Sequence, residues 1–160
     1  KGPRRVDSSK GKTRRLAMYQ NIFIAVDGSE DSDKALQSAA DLAARFDSEL
    51  HLVFAIQYQH YAMGLGSEVA FTLPQEELEA FANELLEKAS ARAKELGCSK
   101  VETHQVMGEA GQAITELAKE KGADLIVVGS KGHSDIAGFL LGSVSHKICH
   151  LAHCPCLVVR

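Results

Sequence analysis

Five short apolar runs, spaced along the chain and separated by longer amphipathic stretches, constrain this sequence more than any other feature. Two of them, Ile22–Val26 and Leu125–Val128, contain no polar residue. A strand with one wet face alternates apolar and polar residues, whereas a strand covered on both faces does not. The other runs are Leu50–Ile56, Val101–Met107 and Cys156–Val159. Val101–Met107 alternates more loosely, which suits a sheet edge.

The stretches between the runs carry helical periodicity. After the first strand, Asp27-Gly28-Ser29 forms a turn, and Ser29 is placed to cap a helix reaching about Phe46. Its apolar stripe is Ala35, Ala39, Leu42, Ala43 and Phe46. A long connection, Gln57 to Leu73, leads to a second helix. Thr72 and Gln75 fit a capping box, and Pro74 sits where a first turn tolerates it. The expected inner face of that helix is Leu78, Phe81, Ala82, Leu85, Ala89 and Ala93, with a stop at Gly97. A third helix runs from about Ala110 to Lys121, turns Ile114, Leu117 and Ala118 inward, and stops at Gly122. A fourth spans about Ser143 to Leu151.

Apolar strands alternating with amphipathic helices define an α/β fold, a parallel five-stranded sheet with helices on both faces. Right-handed crossovers leave few topologies. Ligands of such sheets bind beyond the carboxyl ends of the strands, where the winding direction reverses. The sequence shows no internal repeat and no second domain.

Charge narrows the partners. Residues 1–17 hold seven basic residues against one acid, Asp7, and lack periodicity. They read as a disordered leader or an appended tail, with the domain at 18–160. With that surplus of six removed from a net charge of −3, residues 18–160 carry −9, which repels nucleic acid. No apolar run approaches a bilayer span, so no membrane partner is expected. The cysteines, Cys98, Cys149, Cys154 and Cys156, do not form a secreted disulfide framework, and a cytoplasmic location is the expectation.

The chemistry concentrates between Gly129 and Ser145. The fourth strand runs into Gly129-Ser130-Lys131-Gly132-His133, and Gly142-Ser143-Val144-Ser145 opens the fourth helix, a G-x2-G-x9-G-S spacing. Glycines let backbone amides approach a ligand with no Cβ in the way. A helix N-terminus adds unpaired N–H groups and the positive end of its dipole, a ready phosphate site. Ser143 and Ser145 offer hydroxyl donors, as does Ser130, and Lys131 offers a positive charge. Asp27, after a strand and before Gly28, is read equally well as a local Asx-type turn or as a ligand contact.

On these residues the chain resembles the universal stress protein family, in its ATP-binding branch. The resemblance covers nearly all of residues 19–160. It rests on Ile24-Ala25-Val26-Asp27-Gly28-Ser29, on Asp124-Leu125-Ile126-Val127-Val128-Gly129-Ser130, on Gly138-Phe139-Leu140-Leu141-Gly142-Ser143-Val144-Ser145, and on Cys154-Pro155-Cys156-Leu157-Val158-Val159. It implies a Rossmann-like sheet of strand order 3-2-1-4-5. It also implies that Asp27 binds the ribose or the adenine edge, with Ala25 and Val26 beside the base. Ala55 would line the adenine pocket, and Val128 and Gly129 would contact adenosine. Gly132, Gly142, Ser143, Val144 and Ser145 would hold the phosphates of ATP, with magnesium or manganese between them. The resemblance further implies a homodimer through Cys156–Val159 and a stress-response or signalling role with an unknown partner. Ala25 and Lys131 depart from the residues many relatives carry there.

Rival signals are weaker. Gly11-Lys12-Thr13 imitates the end of a P-loop, but Val6 stands where its first glycine belongs. Gly64-x-Gly66 lacks a third glycine. His146, Cys149, His150, His153, Cys154 and Cys156 suggest metal ligands, but their helix and strand must also pack a core, so no protein-only metal site is expected. Glu76, Glu77, Glu79, Glu84 and Glu87 read as a solvated helix face. His133 is the one candidate base near the loop, without an evident orienting partner. A slow ATPase or phosphotransferase therefore ranks behind nucleotide sensing, as does a pure interaction scaffold.

Overall fold

The computed structural model describes residues 18–57, 74–133 and 141–160. The expected leader at 1–17, Gly64, Gly66, Thr72 and Gly138–Leu140 lie outside the described residues.

Nine elements follow one another: β1 (Asn21–Ala25), α1 (Glu30–Phe46), β2 (Glu49–Ile56), α2 (Gln75–Glu95), β3 (Val101–Met107), α3 (Ala110–Glu120), β4 (Leu125–Gly129), α4 (Ser143–Leu151) and β5 (Cys156–Val159). The sheet order is β3-β2-β1-β4-β5, and every pairing is parallel. The chain winds outward from β1 through β2 to β3, then returns to lay β4 on the other side of β1. Right-handed crossovers therefore place α1 and α2 on one face and α3 and α4 on the other.

Two cores follow from this reversal. On the α1/α2 face, Ile22, Ile24, Leu50, Leu52 and Val127 meet Ala35, Leu36, Ala39 and Ala43. On the α3/α4 face, Phe23, Val53, Ile126 and Val128 meet Ile114, Ala118 and Ile148. Burial of each large side chain contributes about 1.5–3 kcal/mol. The alanines on α1 let that helix lie close to the sheet. No helix among the described residues is long and apolar enough to cross a membrane.

Local signals act as the sequence implies. Ser29 caps α1, its hydroxyl accepting from Ser32 N. The turns after α2 and α3 use Gly97 and Gly122 in the left-handed region, at φ 97° and 69°. β3 is an edge strand. Two helix faces differ from expectation. Phe81, expected inward, is 57% exposed, and Leu86 takes the buried position. Phe81 packs edge-on against Phe54 from outside, with ring centroids 6.0 Å apart. Phe46, at the last turn of α1, is likewise exposed and meets Tyr19 edge-on. Both rings cap the rim of the core instead of filling it. Pro74 stands at the start of α2 without a side-chain cap.

Candidate functional site

Where a parallel sheet reverses its winding, here between β1 and β4, a crevice is expected beyond the carboxyl ends, and the chain puts its polar loops there. The end of β1 leads to Asp27. Its Oδ1 accepts from the Ser29 amide at 2.9 Å and from the Ser29 hydroxyl at 2.6 Å, an Asx turn. The Asp27 amide donates to the buried Ser32 hydroxyl at 3.2 Å. Asp27 thus makes the local turn and still stands at the mouth of the crevice.

The end of β4 is bolted to the first turn of α1. The Ser130 hydroxyl donates to Asp31 Oδ2 at 2.7 Å, and the Lys131 amide donates to the same oxygen at 3.2 Å. The Ser130 hydroxyl is the chief cause holding the Asp31 carboxyl below its ordinary value, with Lys34 and the Lys131 amide acting in the same direction. Sequence reasoning missed Asp31, because an acid in a first helical turn reads as a dipole partner and nothing more.

Two glycines are required by close approach. A Cβ on Gly129 would stand 2.7 Å from the Asp31 carbonyl carbon and 2.9 Å from Ser32 N, so β4 meets the backbone of α1 there. A Cβ on Gly132 would stand 2.7 Å from Asp27 Oδ2. Gly132 therefore brings the β4 loop against the Asp27 carboxylate. His133 Nε2 lies 2.9 Å from the Asp27 carbonyl oxygen, which ties this exposed ring to the β1 loop.

The start of α4 closes on the same loop. Gly142 N donates to Ser130 O at 2.7 Å. The buried Ser145 hydroxyl bonds with Ser130 O at 3.0 Å and Gly142 O at 2.9 Å. Of the three hydroxyls expected beside a phosphate, those of Ser130 and Ser145 are engaged in this frame, and Ser143 is exposed at the first turn. The first helical bond of α4 runs from His146 N to Gly142 O. By helix geometry the amides of Ser143, Val144 and Ser145 then have no intrahelical acceptor. Gly142 brings no side chain to cap them, whereas Ser29 and Glu109 cap α1 and α3.

The expected base-contacting residues divide between the faces. Ala25, Ala55 and Val128 lie on the α3/α4 face, as does Val144, expected at the phosphates, and the two alanines are half-buried. The side chain of Val26 belongs to the opposite core, so only its backbone reaches the crevice. Ala25 and Ala55 bring small side chains to the carboxyl ends of β1 and β2.

The residues from His146 to Cys156 do not bring three ligand atoms to one point. His146, Cys149 and His150 are exposed, and His153 Nε2 lies 3.0 Å from Ala123 O. Cys154 and Cys156 pack on the α3/α4 core. Burial, with Cys149 and Cys154 nearby, pushes the Cys156 thiol up to about 12. Such a thiol is a poor metal ligand and nucleophile. Among the described residues, the side chains that do converge as ligands are His51, Glu102 and His104, elsewhere in the sheet.

Comparison with known proteins agrees with this architecture. A family model described as the universal stress protein family matches residues 18–160. Universal stress protein MJ0531 of Methanocaldococcus jannaschii is 36% identical over 143 residues, covering 89% of this chain and 83% of the relative. A universal stress protein crystallised in complex with cAMP is 31% identical, with a TM-score of 0.69 over 89% of this chain and 98% of that one. Universal stress protein UspA from Lactobacillus plantarum shares the fold, with 24% identity and a TM-score of 0.76 over 90% of this chain and 99% of that one. With its sheet order, its crevice between β1 and β4 and these matches together, the chain belongs to the universal stress protein family.

Proposed function

We propose that this protein is a nucleotide-binding stress-response module that takes ATP, with a divalent ion on its phosphates, into the crevice between β1 and β4. The observation that carries the reading is the uncapped start of α4, held by Ser130 and Ser145 against two glycine-lined turns. Free amides and a dipole end form an anion site. In this reading the adenine lies over Ala25 and Ala55, beside Val128. The ribose sits at Asp27, and the phosphates meet Gly132, Gly142, Ser143 and the amides of Val144 and Ser145. Lys131 supplies charge. A relative with 31% identity was crystallised in complex with cAMP, which supports an adenine nucleotide as the ligand class. The bound ion would neutralise charge between phosphate oxygens.

The homodimer belongs to the same proposal. β5 pairs with β4 on one side and forms a sheet edge on the other. An unpaired apolar edge is a template for a second strand, and a second copy of β5 is the occupant inferred here.

The test is mass spectrometry of nucleotide released from purified protein, followed by titration of Ser143→Glu with Mg-ATP. A carboxylate in the first turn of α4 favours the helix dipole, so the variant keeps its fold. Beside phosphate the same charge repels, and affinity is expected to fall by about tenfold or more. Unchanged ATP affinity in Ser143→Glu would place the phosphates elsewhere.

A further inference from the structure

His51 lies in the middle of β2, 4% exposed, where the apolar pattern calls for an aliphatic side chain. Register places it directly opposite Glu102, with His104 two residues further along β3. Alternation turns all three side chains to the α3 face of the sheet. Phe23 of β1 stacks on the His51 ring with centroids 4.3 Å apart, and Lys121 at the end of α3 stands beside Glu102.

We propose that His51, Glu102 and His104 form a binding site for a borderline divalent transition-metal ion of the zinc type. His51 Nδ1 and His104 Nε2 are 3.0 Å apart. Glu102 Oε2 is 3.5 Å from the first nitrogen and 3.6 Å from the second. Three atoms so spaced can all lie about 2 Å from one point, the bond length zinc makes with imidazole and carboxylate. Two histidines and a carboxylate make a three-ligand set, and half-exposed Glu102 leaves the fourth position to water.

Hydrogen bonding alone does not account for the cluster. One proton can serve the pair of ring nitrogens. The Glu102 oxygen then stands 3.5 and 3.6 Å from those nitrogens, too far for a hydrogen bond to either. Burial is the first cause lowering both rings below the ordinary histidine value. The other charges facing the rings are Glu49, Glu102 and Lys121. Lys121 Nζ reaches Glu102 Oε2 at 3.8 Å, on a side chain with solvent to withdraw into. His51 Nε2 is buried without a partner. A cation on Nδ1 leaves the proton on this nitrogen, so the ion fixes the tautomer of the ring without supplying Nε2 a partner. The ion would clamp edge strand β3 to β2 on residues the nucleotide reading does not use, and does not depend on that reading.

The experiment uses the tag-free chain, stripped with chelator and titrated with Zn²⁺ and with Co²⁺ as a spectroscopic probe. About one equivalent of zinc, a tetrahedral Co²⁺ spectrum and a thermal midpoint raised by zinc are expected. Glu102→Gln, isosteric and half-exposed, and His104→Gln should each weaken zinc about a hundredfold or more. Their melting curves in chelator should match those of the parent at a pH above the histidine range, where both rings are neutral in the folded and unfolded chain. Cys149→Ser with His150→Gln should change nothing. Less than about a tenth of an equivalent bound, full uptake by Glu102→Gln and His104→Gln, or loss of uptake in the Cys149/His150 variant would each overturn the proposal.

Discussion

Replacing Gly129 by alanine puts a methyl group where there is no room and where the wall cannot yield. Its Cβ would stand 2.7 Å from the Asp31 carbonyl carbon, 2.8 Å from the Asp31 oxygen and 2.9 Å from Ser32 N. Every one of these atoms is backbone at the start of α1, so relief requires the helix to back away from β4. Overpacking of this kind costs about 2–3 kcal/mol. At roughly 2–4 °C per kcal/mol for a chain of this size, the thermal midpoint should drop by about 4–12 °C. Urea unfolding gives the same quantity independently, with the m-value unchanged if only the native state is affected. The displacement should also stretch the bonds from Ser130 and Lys131 to Asp31 and loosen the loop that frames the crevice. Gly132→Ala is the contrast. Its Cβ meets Asp27 Oδ2, a side-chain end that can rotate, so it should lose less stability while turning Asp27 away from the crevice. A Gly129→Ala loss below about 0.5 kcal/mol, or one no larger than that of Gly132→Ala, would refute the argument from backbone contact.

Two further perturbations test the edge and the buried histidines. Ile126 N donates to Pro155 O and Ser130 N to Val159 O, so odd-numbered residues of β5 bond β4 and the amide of Val158 points to the open edge. Val158→Pro removes that outward donor at a position an edge strand tolerates, and light scattering should then show monomer for the variant and the proposed dimer for the parent. In chelator, stability should fall between pH 7 and pH 5.5. The unfolded rings titrate near 6.5, whereas His51 and His104 in the fold titrate lower, so acid loads the unfolded chain first. Their contribution is present above 6.5 and is lost as pH falls toward the folded values, at up to about 1.4 kcal/mol per pH unit for each ring. His104→Gln should flatten the slope; an unchanged slope assigns the acid sensitivity to other groups.

The sheet was legible because its strands are short, apolar and separated by helices with clear stops. β3, β5 and α4 fall where the sequence places them, and the remaining strands differ by a residue at one or both ends. Their order came with the family resemblance, not with the pattern. The rim was less legible. Phe81 and Phe46 satisfy helical periodicity, but a large ring at the margin of a core can cover a neighbour while remaining wet. The glycine and serine positions of the crevice were legible as a set, yet their division of labour was not. Nothing in the spacing distinguishes Ser143, exposed at a helix start, from Ser145, buried and turned back on the loop. Asp31 and the His51–Glu102–His104 cluster each depend on a pairing across elements. The local signal for the cluster was a histidine interrupting an apolar strand, with an acid and a second histidine two residues apart on another strand.

The buried hydroxyl of Ser145 also decides how α4 sits on the sheet. It reaches Ser130 O and Gly142 O, and the Gly142 amide donates to the same Ser130 oxygen, so two points twelve residues apart in the sequence are pinned together. The start of the helix and the end of the strand therefore move as one body. A change that loosens β4 at Gly129 is carried through Ser130 into the first turn of α4, so the aim of its amides answers to packing against α1 on the opposite face of the sheet.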